Sequence, residues 1–570
     1  MPNARARGRA LLALVVVVMI STGVAASAAE GADDAASSNH ATEAAVAHAK
    51  AVSPLIHVGP DALSRAFREG RLTPARYALE RAASLFDLAA ARERYGNVRA
   101  VDPRLATLIL RDLSVWLRSL SGADLRRARS LLARPTDDRP EPDPSNPKYP
   151  GPEEQPECDA NVCVHYVSGG KHKATSSYVN KVQSVMTNVW QTEVVEYGYR
   201  RPKSDVTSTN NGGNGKLDVY LANIGPQNLY GYCTTDDPHA KPASGYRYFD
   251  MSAYCVLDND YAFDEFGYPD PTDPLKVTAA HEFFHAVQFG YDYFEDYYFM
   301  EGTAAWMEDE VYDAVDDNIQ YLRDSPLSKP TRSLDKTTPF GIYGSWIWWR
   351  FLAEYVGPDA SMDPSIIKDV WKRADASPTG PDMYSTQATA ASIAKRRIDA
   401  ASGRFRRAFA AFAVWNTVPT RFYEEGARYR PANLARIVAI SKASPTVRQG
   451  TALDHLANRY VGIRRGARVR DTAKLRVHVT GPPGKTSPEA SVVLIKRSGT
   501  VAVRSVSLNR EGDGAVTVSF GSTVDRAVVI VTNASTRFVR CYSDPSYEFS
   551  CGGQPVDENE PFIFRATLIQ

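Results

Sequence analysis

His281-Glu282-Phe283-Phe284-His285, inside the run Thr278 to Gln288, restricts this chain more than any other stretch. Residues four apart leave one face of a helix about one turn apart, so the two imidazoles are placed to share one tetrahedral metal ion. Glu282 then lies beside the open coordination position, where a carboxylate takes a proton from water and passes it to a leaving group. The flanks favour a helix, with Asp273 as N-cap, Pro274 at the first helical position and Gly290 as the stop. The opposing reading is a helix with two structural histidines. Phe283, Phe284, Val287 and Phe289 would bury that helix, and unpaired imidazoles are costly there.

A third ligand is needed. Gln288 and Tyr291 stand where a third-histidine pattern wants Gly and His. Glu301 is the better candidate, because it opens the apolar run Thr303 to Val311, which reads as a second helix packed beside the first. Glu301-Gly302-Thr303-Ala304-Ala305-Trp306-Met307-Glu308 is similar to the Glu-Gly-x-Ala block of the zinc aminopeptidase branch. Here the chain resembles the gluzincin metallopeptidases, whose third ligand is a glutamate on the next helix. The resemblance, strongest from Cys158 to Gly357, extends to a group of secreted zincins with a helical pro-segment and a trailing β domain. It implies one catalytic zinc ion held by His281, His285 and Glu301, with Glu282 as general base and then general acid.

The resemblance also has departures. Ala305 stands where thermolysin-type enzymes carry an acid. Glu308, two turns from Glu301 on the same face, either orients a ligand histidine or is a solvated charge beside Asp309 and Glu310. The Gly-Ala-Met-Glu-Asn segment that grips a free amino terminus in the aminopeptidases has no evident counterpart. The expected activity is therefore that of an endopeptidase acting on protein or peptide. An aminopeptidase and a non-catalytic, zinc-containing surface-binding protein are the alternatives. Tyr343 lies where aminopeptidase-like members place an oxyanion donor, a neutral phenol suiting charge that develops in the transition state. With 29 tyrosines in the chain, a structural role competes.

The rest of the chain is organised around this centre as a multidomain α+β protein. Residues 1–28 read as a secretory signal: Arg5, Arg7 and Arg9, an apolar stretch from Ala10 to Ile20, and a cleavage site at Ala26-Ser27-Ala28. The expectation is an exported monomer with no membrane span after signal removal. Six cysteines suit that compartment and fall into near-neighbour pairs, Cys158 with Cys163, Cys233 with Cys255, and Cys541 with Cys551. A formal charge of +1 gives no reason to propose nucleic acid or an anionic membrane as partner.

Residues 29–133 contain helical periodicity and read either as a pro-region, which would make the chain a zymogen, or as a permanent accessory domain. Residues 134–157, dense in proline, read as an exposed linker where processing would fall. Residues 158–444 are expected to form the zincin-like domain, with Ala253 to Leu257 as the edge strand that pairs with substrate. Residues 445–570 alternate as a β-sandwich does. Two polar clusters are calcium candidates. Asn210 to Asp218 reads as a hairpin turn in preference to a calcium loop. Asp258, Asn259 and Asp260 with Asp264 and Glu265 form either a structural ion site or a polar loop.

Overall fold

The computed structural model describes residues 60–138, 147–237, 250–357, 362–396, 405–543 and 548–570. The leader expected at 1–28 lies outside them. Among the described residues five α-helices come first: α1 (Ala62–Arg68), α2 (Pro74–Phe86), α3 (Leu88–Tyr95), α4 (Ala106–Trp116) and α5 (Gly122–Leu131). The first three start on side-chain caps, with Asp61, Thr73 and Asp87 accepting from the Ser64, Arg76 and Ala90 amides. Such caps satisfy donors that have no partner within the first turn. Nearly every residue of α4 is buried, because it lies between its neighbours and the sheet that follows.

That sheet comprises β1 (Glu157–Cys158), β2 (Val162–His165), β3 (Leu217–Ala222), β4 (Gly231–Thr234) and β5 (Tyr254–Asp258), in the order β1-β2-β3-β5-β4. β2, β3 and β5 run parallel, and β4 pairs antiparallel with β5. All of β3 and β5 is buried, as befits strands covered on both faces. The expected edge strand is therefore interior, and the edge belongs to β4.

α6 (Ser176–Trp190), widening into a π turn over Gln191–Glu196, and α7 (Thr272–Phe289) pack beside the sheet. α7 begins one residue before Asp273. The Thr272 amide is met by the Asp270 carboxylate at 2.8 Å, so Asp273 and Pro274 lie inside the first turn and Asp273 is not the cap. Gly290 ends the helix as expected. α8 (Tyr297–Tyr312), α9 (Trp346–Tyr355), α10 (Ser365–Arg373), α11 (Ser385–Lys395) and α12 (Phe405–Trp415) complete the helical body. One continuous apolar core runs from the N-terminal helices through the sheet to α12.

The proline-rich stretch is not exposed at its ends. Arg134 is buried, donating to Asp205 at 2.7 Å, Asp236 at 2.7 Å and Asp218. Tyr149 is buried too, its hydroxyl donating to the carbonyls of His165 and Leu221 at 2.9 and 3.0 Å. Three ionic partners offset the desolvation of Arg134, which a lone buried guanidinium could not tolerate. Residues 139–146 lie outside the described residues.

The C-terminal region is all β and begins at Arg436, ahead of the point where the sequence starts to alternate. β6 (Arg436–Ile440), β7 (Thr446–Leu453), β8 (Ala457–Arg465), β9 (Lys474–Thr480), β10 (Pro488–Lys496), β11 (Val501–Ser505), β12 (Asp513–Ser519) and β13 (Val524–Asn533) are followed by the short β14 (Phe538–Val539) and β15 (Gln554–Pro555), then β16 (Glu560–Ile569). They form a five-stranded sheet, β11-β10-β13-β8-β6, and a four-stranded sheet, β12-β9-β16-β7, enclosing an apolar core. β9 alternates exposed and buried residues strictly, one face on the core and one in solvent. β13 is mostly buried on both faces because α12 packs against the outer side of its sheet.

Three disulfides join Cys158 to Cys163, Cys233 to Cys255 and Cys541 to Cys551. The last closes the segment between β14 and β15, and β16 follows it. Among the described residues no helix is long and apolar enough to cross a membrane.

Candidate metal centre

α7 and α8 lie side by side and are buried on nearly every face, which explains why neither shows a strong amphipathic stripe. Gly302 allows α9 to approach α8 closely, since a Cβ there would lie 2.2 Å from Ser345 Oγ and 2.8 Å from Trp349 Nε1. This fixes Glu301, its neighbour, opposite the histidines of α7.

His281 Nε2 is 3.1 Å from Glu301 Oε2, and His285 Nε2 is 3.6 Å from Glu301 Oε1. A tetrahedral zinc ion with bonds of about 2.0–2.1 Å spaces its ligands about 3.4 Å apart, so both separations are of the right size. The far nitrogens are tied down. His281 Nδ1 donates to Glu308 Oε1 at 2.7 Å, and His285 Nδ1 to Gln288 Oε1 at 2.8 Å.

The Gln288 amide group donates to Met300 O at 2.9 Å and Thr303 Oγ1 at 3.1 Å, which leaves its oxygen facing His285. Nδ1 of His285 therefore carries the proton, and Nε2 presents a lone pair toward Glu301. His281 is oriented the same way by Glu308. Lone pairs of two imidazoles facing a carboxylate require a cation or protons between them. Among the described residues, His285 Nε2 and Glu301 Oε1 are buried without a hydrogen-bond partner. The donor set, two neutral imidazole nitrogens and a carboxylate with its outer partners in place, fits zinc.

Burial raises the Glu301 carboxyl, but positive charge placed at His285 and His281 more than offsets this and holds it at about 2; with both imidazoles neutral, a bound cation is what supplies that charge. Burial pushes Glu282 up, an effect partly offset by His285 and His281. Glu308 is buried and bonded to His281, so it is not a solvated charge. Asp309 and Glu310 are buried as well, both accepting from Arg350 Nη1 at 3.0 Å. Tyr343 is buried, its ring stacked on His281 at 6.0 Å and its hydroxyl without a partner among the described residues. Burial and Glu301 push that phenol well above its usual range.

A cavity of about 700 Å³ opens beside the centre, bordered by His281, Glu282, Glu308 and Tyr321 and by residues 84–89, Ala100, Val101, Pro103 and Arg104 of the N-terminal region. Gly231 lets β4 press against α7 there, since a Cβ would lie 2.8 Å from the Thr278 methyl and 3.2 Å from Glu282 Cγ.

The calcium candidates fare differently. Asp218 is engaged by Arg134 and by His165 Nε2 at 3.0 Å, so cationic groups already hold the carboxylate expected to bind calcium. Asp258, Asp260 and Glu265 do converge, each offering an oxygen within 4.8 Å of the others. Both Asp258 oxygens, however, accept backbone amides: Ile224 at 3.1 Å, Gly225 at 2.9 Å, Asp260 at 3.1 Å and Tyr261 at 2.8 Å. That carboxylate staples two loops.

Sequence reasoning passed over Gln288 as a histidine partner, although it lies one turn after His285 on the same helix. It also missed Thr107, whose hydroxyl donates to Glu282 Oε2 at 2.9 Å across 175 positions. No local pattern announces that contact. Compared with protein-family models the chain matches none, and a search of curated proteins finds no match.

Proposed function

We propose that this chain is a secreted zinc endopeptidase of the gluzincin type, with a zincin-like body and a β-sandwich after it. The observation that carries the reading is the convergence of His281 Nε2, His285 Nε2 and the Glu301 carboxylate at 3.1 and 3.6 Å, with the outer nitrogens tied to Glu308 and Gln288. When bound there, zinc lowers the pKa of water and polarises a carbonyl. Glu282, its carboxyl raised by burial, takes the proton from the attacking water and delivers it to the leaving nitrogen. Tyr343 donates its hydroxyl toward the oxyanion, a role supported by its unpartnered O–H beside His281. Three disulfides and the leader-like N-terminus support placement outside the cell.

The test compares wild-type chain with Glu282→Gln on an unfolded protein substrate and on short peptides with free and blocked amino termini. The endopeptidase reading predicts hydrolysis of the protein and the blocked peptides, lost in Glu282→Gln while zinc is retained. Hydrolysis confined to free amino termini favours an aminopeptidase. Zinc without hydrolysis favours a binding protein.

A further inference from the structure

The last turn of α8 runs against the electrostatics of a helix. Asp309 and Asp313 are four apart, so two like charges share one face, at the helix end whose dipole disfavours anions. A third carboxylate is brought to this pair from far along the chain. Glu425 follows the single turn Pro419–Phe422, where Gly426 closes the loop so tightly that a Cβ would lie 1.9 Å from Pro419 O. Tyr429, itself buried, donates to Glu425 Oε2 at 3.2 Å. One carboxylate oxygen each from Asp309, Asp313 and Glu425 lies within 4.8 Å of the other two.

The Asp309 side chain has no exposed surface, and only one of its oxygens is satisfied. Oδ2 accepts from Arg350 Nη1 at 3.0 Å, while Oδ1 is buried without a hydrogen-bond partner among the described residues. Arg350 does not neutralise the group, because the same guanidinium also serves Glu310 at 3.0 Å, Glu354 at 2.6 Å and Glu424 at 3.3 Å. Arg428, on the Glu425 side, is paired with Asp316. A buried carboxylate oxygen without a donor costs folding free energy, and two further anions beside it add repulsion. A hard cation removes both penalties. The Asp258 group differs on this point, since both oxygens of its buried carboxylate are already taken by backbone amides.

We propose that Asp309 Oδ1, Asp313 and Glu425 hold a calcium ion, at a site separate from the histidine centre. The donors are all oxygen, which selects a hard cation over zinc. Asp313 and Glu425 are half-buried, so water has access to complete the roughly six to eight ligands that calcium takes. The ion ties the end of α8, the helix that carries Glu301 and Glu308, to the segment that leads into β6. The site does not depend on the zinc-peptidase reading.

The test is calorimetric titration of calcium into the full chain, with urea unfolding carried out with and without calcium. The expected result is one calcium ion per chain with a Kd on the order of 10⁻⁴ M, as in other extracellular sites, and a higher urea midpoint when it is bound. Asp313→Asn and Glu425→Gln replace half-buried carboxylates by amides of the same shape. Each is expected to weaken binding about tenfold or more and to abolish the rise in midpoint, whereas Glu265→Gln, in the Asp258 group, leaves both unchanged. No binding at calcium on the order of 10⁻² M, far above the expected Kd, overturns the proposal. So does binding that survives Asp313→Asn and Glu425→Gln, or that is lost in Glu265→Gln. An equal rise in midpoint with magnesium overturns it too, because general screening of acids by a divalent cation then accounts for the effect.

Discussion

Replacing Gln288 with leucine isolates the claim that the histidines are aimed by their outer partners. Gln288 is fully buried, and its oxygen accepts the proton of His285 Nδ1 at 2.8 Å while its amide group is spent on Met300 and Thr303. Leucine of similar size leaves the Nδ1 proton buried without an acceptor, at a cost of about 1–3 kcal/mol in folding stability. It also frees the imidazole to turn or to change tautomer. Loss of such a partner typically weakens metal binding 10- to 100-fold, which is about 1.4–2.8 kcal/mol. Gln288→Glu keeps an acceptor in the same place and is expected to hold zinc within a fewfold of wild type. Competition with a chromophoric chelator gives the affinities, and urea unfolding of the metal-free proteins gives the stability term separately. If Gln288→Leu is as stable as wild type and binds zinc within about twofold of it, the tautomer argument fails.

Tyr343→Phe is expected to lower kcat about 100- to 1000-fold with KM little changed, because the phenol is assigned to the transition state; a loss in KM alone contradicts that role. Gly302→Ala is expected to cost about 1–3 kcal/mol in urea unfolding, since its methyl meets Ser345 and Trp349 inside contact distance. His455 is a pH-dependent clamp between the β region and the helical body, with Nε2 2.8 Å from Asp335 and Nδ1 bonded to Glu558. Burial lowers its pKa, but Asp335 and Glu558 more than offset this and raise it from 6.5 to about 9. The stability it contributes is fully present below pH 6.5 and lost as pH rises through 9, up to about 3 kcal/mol in all. Urea midpoints between pH 6 and 10 are expected to fall less steeply in His455→Gln than in wild type.

What the chain disclosed in advance follows from which interactions are local. The His281 and His285 spacing, the Ala-rich run after Glu301 and the alternation of β9 each depend on neighbours within a turn or two, and each element formed where its pattern lies. β4 escaped notice because four residues starting at a glycine carry too little periodicity to register. Ala253 to Leu257 reads as an edge strand from the sequence because β4, the partner that makes Tyr254–Asp258 interior, is not visible there. Arg134 looked like a linker charge because its three aspartates lie 71 to 102 positions away. The acidic run Glu308-Asp309-Glu310 resembles a solvated face until Arg350 and His281 are brought against it. Thr107 belongs with these, a residue whose importance exists only in the folded chain.

Metal content of the purified protein tests the account most directly. Elemental analysis combined with native mass is expected to find one zinc ion per chain, lost in His285→Ala and retained in Glu282→Gln. Protein that folds with no stoichiometric metal, or that keeps its zinc when His285 is removed, contradicts the centre described above.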